Sequence, residues 1–257
     1  MEGKMTIVLN EIHIIDGLEN TFMIAAADRR ITWPNGKKQT WKKMFKIPYL
    51  YGAISFYGRA DFFPQGKKDS ISFSTWLPNF INRNSNTGTL ENFSNCLRDE
   101  LNRIIPSNQI GAMVSGFHIC GYNAQGYPDF WSLSNYETMT DFEYVGIKNQ
   151  YKTPANDFLS GDAKSFGWDG IDPFSINSGQ VMIYRNGDVR AHAKVFDNLN
   201  DIYKYLSSFP DFKTISDFAD YRDFIKFKLE IIAYIYKKLA KKPIIGTPID
   251  IWLLEKP

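Results

Sequence analysis

A chain of 257 residues that is 44% hydrophobic carries enough apolar material for a large core, which argues against disorder and for one domain spanning residues 1–257. A formal net charge of +2 gives no reason to expect a nucleic-acid or anionic-membrane surface. No run approaches the roughly 20 apolar residues of a membrane span, and the N-terminus has no signal-peptide core, so a soluble cytoplasmic protein with neither nucleic-acid nor membrane partners is expected.

The chain opens with two strand-like runs, Thr6 to Ile15 and Thr21 to Asp28, joined through Asp16-Gly17, a strong hairpin signal. Phe22 to Ala27 is apolar at consecutive positions, as in a strand covered on both faces. Ile31 to Trp33, a turn at Pro34-Asn35-Gly36, a strand through Trp41 to Ile47 and another from Tyr49 to Tyr57 follow. Ser72 to Ile81 reads as a helix weakened at Pro78. Thr89 to Ile105 reads as a clearer one, with Thr89 as N-cap, Leu90, Phe93, Leu97, Leu101 and Ile104 on one face, and Pro106 as the stop.

Strands are expected again at Gly111 to Tyr122 and Asp129 to Ser134, around a turn at residues 123–126. Residues 143–177 are irregular and rich in Gly, Asp and Ser. Gln180 to Tyr184 and Val189 to Val195 flank Arg185-Asn186-Gly187-Asp188 and predict a second hairpin. Helices at about Leu199 to Ser208 and Thr214 to Lys242 precede a last strand, Ile249 to Leu254. Lys237, Lys238, Lys241 and Lys242 close the longer helix, where cations suit its dipole. Sheets with helices on their outer faces satisfy this order.

Chemistry-bearing residues are sparse. Cys96 and Cys120 have no metal or redox spacing and read as small core residues. His13, His118 and His192 form no ligand pattern, so no metal is expected, and His118 reads as a satisfied core histidine. Phosphate-loop, dinucleotide and Gly-x-Ser-x-Gly fingerprints are absent. The aromatic residues, 16% of the chain, suit core and interface better than base stacking.

Three segments carry more. Ala25-Ala26-Ala27-Asp28-Arg29-Arg30-Ile31-Thr32, Lys43-Met44-Phe45-Lys46-Ile47 and the Gly58-Arg59-Ala60-Asp61 turn follow a Thr6-Ile7-Val8 start, and Ile245-Gly246-Thr247-Pro248-Ile249-Asp250 precedes the last strand. In this order they resemble the proteasome-type N-terminal-nucleophile hydrolases, which include proteasome β subunits and the HslV and Anbu peptidases. The resemblance implies an α+β fold, a four-layer αββα sandwich, and a threonine-type peptidase or amidohydrolase acting on a peptide or amide. Thr6 would be the nucleophile, Asp28 and Lys43 would tune its amine, with Lys46 as an alternative to Lys43, and Gly58 would offer an oxyanion-binding N–H. Thr32 takes the place of the family's second threonine. No cofactor is implied, and a homo-oligomer is expected by analogy.

An N-terminal threonine suits this chemistry because its α-amine, ordinarily near pKa 7.7–8.0, is a usable base close to neutral pH. A nearby lysine cation lowers that value further, and a carboxylate holds the lysine in place. Thr6 would have to be exposed by initiation at Met5 or by self-cleavage, although Met5 stands where self-processing members carry glycine. The first hairpin is longer than in proteasome β subunits, so a register with Met5 in the nucleophile's place is the competing reading. It implies a non-catalytic subunit serving assembly or binding. The family's supporting serine and aspartate have no clear counterparts: Ser178-Gly179 resembles the end of that motif, the aspartate's place falls on Ser175, and Asp172 is a substitute.

Overall fold

A computed structural model describes residues 7–16, 20–33, 35–156, 170–171 and 180–257. In chain order the first strands are β1 (Ile7–Asp16), β2 (Asn20–Asp28), β3 (Arg30–Thr32), β4 (Lys38–Thr40), β5 (Met44–Ile47), β6 (Gly52–Gly58), β7 (Asp61–Phe62) and β8 (Ile71–Ser72). Helices α1 (Phe73–Arg83), α2 (Leu90–Ile104) and α3 (Ser107–Ile110) follow. Next come β9 (Ser115–Tyr122), β10 (Pro128–Ser134), β11 (Thr138–Thr140), β12 (Glu143–Val145), β13 (Ala155–Asn156), β14 (Gly170–Ile171) and β15 (Gln180–Gly187). Helices α4 (His192–Leu206) and α5 (Phe218–Leu239) and strand β16 (Ile249–Leu254) complete the chain.

Two antiparallel five-stranded sheets dominate, ordered β14-β15-β1-β2-β16 and β13-β10-β9-β6-β5. The protein is therefore a mixed α/β fold built on antiparallel sheets. Strand β2 accounts for the continuous apolar run. Phe22, Ile24 and Ala26 join a cluster with Leu229, Ile232 and Tyr236 of α5, while Met23, Ala25 and Ala27 face the other way and meet Met44, Ala53 and Phe130 of the second sheet. The opposite face of that second sheet supplies Phe56, Phe117 and Ile119 to a cluster with Phe73, Leu77, Phe93 and Leu97 of α1 and α2. No described helix is long and apolar enough to cross a membrane.

The helical periodicity reads well. Thr89 Oγ1 accepts the Asn92 N–H at 3.1 Å to cap α2, and Leu90, Phe93, Leu97 and Leu101 are buried while Ile104 is partly so. Helix α1 keeps Pro78 inside, with Ser72 capping it through the Thr75 N–H. Cys96, in contrast, is exposed on the solvent face of α2; only Cys120 is a core residue.

Other expectations change. Asn186-Gly187 makes no hairpin turn: it ends β15, where Asn186 lies opposite Val8 and Gly187 opposite Ile7. Pairing with β1 outweighs the local turn preference, and residues 189–195 belong to the approach to α4 and its first turn, which starts seven residues before the expected Leu199. Of the Trp41 to Ile47 run only β5 is strand, paired with β6; β4, paired with β3, lies before it. Residues 48–50 form a 3-10 turn, and β6 starts at Gly52. Residues 107–110 are helical, so β9 begins at Ser115. The turn at 17–19, Asp172, Ser175 and Ser178-Gly179 lie outside the described residues.

Gly52 sits where β6 passes β9 so closely that a Cβ would stand 2.4 Å from the Cys120 carbonyl oxygen. Gly52→Ala is expected to lower the unfolding free energy by about 1–3 kcal/mol through forced separation of the two strands. Urea denaturation measures this, and a loss under about 0.5 kcal/mol would show that the strands part freely.

Candidate active site

The carboxylate of Asp28, the last residue of β2, is fully buried and collects donors from four parts of the chain. Oδ1 accepts the Ile7 N–H at 3.1 Å and the Lys43 ammonium at 2.9 Å. Oδ2 accepts the Arg30 N–H at 3.0 Å and the Gly246 N–H at 3.2 Å. A buried carboxylate persists only when its oxygens are satisfied in this way.

Lys43 immediately precedes β5. Its carbonyl accepts the Phe56 N–H at 3.1 Å, which extends the β5–β6 pairing by one residue. Its side chain, 1% exposed, leaves that sheet and reaches Asp28 in the other, while Nζ also donates to the Arg30 carbonyl. Burial pushes the Lys43 pKa below the ordinary lysine value; Asp28 opposes the shift and the Arg30 cation adds to it. Lys46 is exposed on β5, so Lys43 is the lysine that meets Asp28. Thr32 donates to the Pro243 carbonyl at 3.0 Å and braces the β3–β4 hairpin against the C-terminal segment.

That segment supplies the part sequence reasoning assigned no role. Strand β16 pairs with β2 so that Ile249 lies opposite Asp28, the Arg29 N–H donates to the Pro248 carbonyl, and Arg29 grips Asp250 at 2.8 and 2.5 Å. The Arg30 guanidinium lies over Gly246, at 2.2 Å from where a Cβ there would stand. The likeness of residues 245–250 to a family segment was the available signal; its backbone contact with Asp28 required the fold.

Gly58 ends β6, two residues beyond Phe56, with φ +77° and a space that a Cβ would close at 2.2 Å from the Val114 carbonyl oxygen. Only glycine fits there. Thr6 lies outside the described residues, one peptide bond before Ile7, whose N–H is on Asp28. Among the described residues, no cluster of three or more His, Cys, Asp or Glu side chains could hold a metal ion.

Between the sheets a chain of polar side chains runs toward the same strand ends. His118 Nδ1 meets Asn10 Oδ1 at 2.8 Å and His118 Nε2 meets Asn186 Oδ1 at 2.6 Å; Asn186 Nδ2 donates to the Tyr136 hydroxyl, which is 2.8 Å from that of Tyr57. Burial lowers the His118 pKa to about 4, so the ring is neutral at physiological pH. A neutral imidazole donates at one nitrogen only, and one of the two asparagines must then turn its amide nitrogen to the ring. Rotating the Asn186 amide does this and leaves its oxygen to accept from Tyr136. His118 is thus a satisfied core histidine.

No protein-family model matches this chain, and no curated protein matches it.

Two outcomes follow from these burials. Lys43→Met strands the Asp28 charge and should cost about 3–5 kcal/mol in urea unfolding, whereas adding Asp28→Asn should recover part of that loss; equal losses in both variants would remove the pair from the account. For His118, the unfolded chain binds a proton near pH 6.5 and the folded chain only near 4, so stability falls as pH drops through this window. At about 1.4 kcal/mol per pH unit the total is on the order of 3 kcal/mol, and His118→Gln should flatten that slope relative to the parent.

Proposed function

We propose that the chain is a proteasome-type N-terminal-nucleophile hydrolase, a threonine-type peptidase or amidohydrolase with a four-layer αββα arrangement. The observation that carries this reading is the Asp28 carboxylate shared by the Ile7 N–H, the Lys43 ammonium and the Gly246 N–H, which joins segments singled out at opposite ends of the sequence. The sequence of apolar clusters, from α1 and α2 through the two sheets to α5, supports the layered arrangement.

In this reading residues 1–5 are absent from the mature chain and Thr6 carries a free amine. The amine takes the proton of the Thr6 hydroxyl as its oxygen attacks the substrate carbonyl carbon, and the Gly58 N–H stabilises the oxyanion. Collapse breaks the C–N bond, the leaving amine departs with the proton, and an ester remains on Thr6. Water, deprotonated by the same amine, attacks that ester and releases the acid. Lys43 keeps the amine neutral, and Asp28 keeps Lys43 in place.

Intact mass and N-terminal sequencing of the protein from its native host, together with hydrolysis of a peptide and amide panel, test this directly. A chain beginning at Thr6 should hydrolyse at least one substrate, and Thr6→Ala should reduce turnover about a thousandfold or more with an unchanged melting temperature. Activity that survives Thr6→Ala overturns the mechanism. A mature chain that keeps Met5 and hydrolyses nothing assigns the fold to a non-catalytic subunit serving assembly or binding.

A further inference from the structure

Helix α5 has two apolar stripes, although a helix lying on a sheet needs one. The first, with Ile225, Leu229, Ile232 and Tyr236, is buried against the sheet of β1 and β2. The second faces outward: Phe227 is 48% and Tyr234 60% exposed, with Ile231 half-buried between them. Their spacing of four and three residues puts them on one line along the helix. That line continues to exposed Asp223 in one direction and exposed Lys238 in the other. Asp223, Phe227, Tyr234 and Lys238 are therefore arranged symmetrically about a point between Glu230 and Ile231, matched in bulk and opposite in charge.

We propose that this face is a two-fold interface at which α5 of one copy packs antiparallel to α5 of a second copy of the same chain. An isologous contact requires a patch complementary to itself after a half-turn, and this stripe meets that requirement: Phe227 lies opposite Tyr234 of the other copy, and Asp223 opposite Lys238. The helix ends extend the match. Asp217 caps the helix and Asp220 lies in its first turn, while Lys237 lies near the end with Lys241 just beyond. Opposed helix macrodipoles favour the same orientation. A parallel pairing would instead bring like charges together at both ends.

One helix stripe is narrow for a stable contact, where about 800 Å² per partner is usual. Helix α4 packs against α5 through Tyr203 on Phe224, with ring centroids 5.0 Å apart, and has exposed apolar residues of its own in Ile202 and Tyr205. Aromatic residues framed by charges are the composition expected at the centre and rim of an interface. The proposal does not depend on the catalytic reading.

Sedimentation velocity over a concentration series tests it, with circular dichroism as the check on folding. The parent chain should sediment as a dimer or a higher assembly containing dimers, and Phe227→Glu with Tyr234→Glu should remove that contact while leaving the spectrum unchanged. Asp223→Lys and Lys238→Asp should each raise the dissociation constant about tenfold or more by placing like charges together. The two combined should restore the parent affinity, because each reversed charge again meets its opposite across the axis. A monomeric parent, or an assembly indifferent to the paired Glu substitutions, overturns the interface. Failure of the charge swap to rescue overturns the antiparallel register.

Discussion

The arrangement around the two sheets depends on how the buried Asp28 carboxylate is satisfied. Its donors come from the start of β1, the turn into β3, the residue before β5 and the segment before β16, so one side chain ties the beginning, the first hairpins and the end of the chain together. Lys43 is the donor that crosses between sheets. Removing two charges from water costs several kcal/mol per ion, and apolar residues of similar volume often serve stability as well or better. The packing here could have been apolar: Ala27 and Met44, the chain neighbours of Asp28 and Lys43, belong to the same core cluster. The pair is instead kept, with every carboxylate oxygen and the ammonium hydrogen-bonded.

A second polar feature obeys the same rule of satisfaction. Asn10, His118 and Asn186 interrupt strands whose neighbouring positions carry Val8, Ile12, Cys120 and Tyr184, yet His118 finds a partner at each nitrogen and both amides bond onward. The neutral ring fits this setting, since an imidazolium would be enclosed by neutral amides and aromatic rings, with Tyr57 and Phe130 edge-on to it at 5.5 and 5.1 Å. Tyr144, beside Tyr57 and Tyr136, both donates to the Gly187 carbonyl and accepts the Gly187 N–H. Gly187 is the strand partner of Ile7, so the polar chain braces the strand ends next to Asp28.

Local chemistry anticipated the elements whose determinants are local. The cap at Thr89, the face from Leu90 to Leu101 and the doubly buried run of β2 all follow from residue spacing. It misled where a distant strand overrides the nearby residues. Asn186-Gly187 is a strong turn sequence, but with φ +101° at Gly187 it ends a strand whose register is set by β1, through the pairing of Asn186 with Val8 and of Gly187 with Ile7. The candidate site divides the same way. Asp28 and Lys43 stand in recognisable runs, whereas the Gly246 N–H and the Arg30 carbonyl are backbone groups whose value lies wholly in where the chain brings them.

The electrostatics limit what this centre can do by itself. Asp28 is occupied on both oxygens, and Lys43 is committed to Asp28 and to the Arg30 carbonyl. Neither is placed to attack a substrate, and the pair instead presents a buried ammonium held by a carboxylate. Such a cation acts strongly on a neighbouring titratable group because little solvent screens it. In the proposed reading the Lys43 cation would lower the pKa of an α-amine at Thr6, and the Asp28 carboxylate would oppose that shift. A threonine inside a continuous peptide chain has no such amine, and its hydroxyl would lack that base. Within the proposed reading the same buried pair is compatible with either a hydrolase or an inert scaffold, and the covalent state of the Thr6 nitrogen distinguishes them.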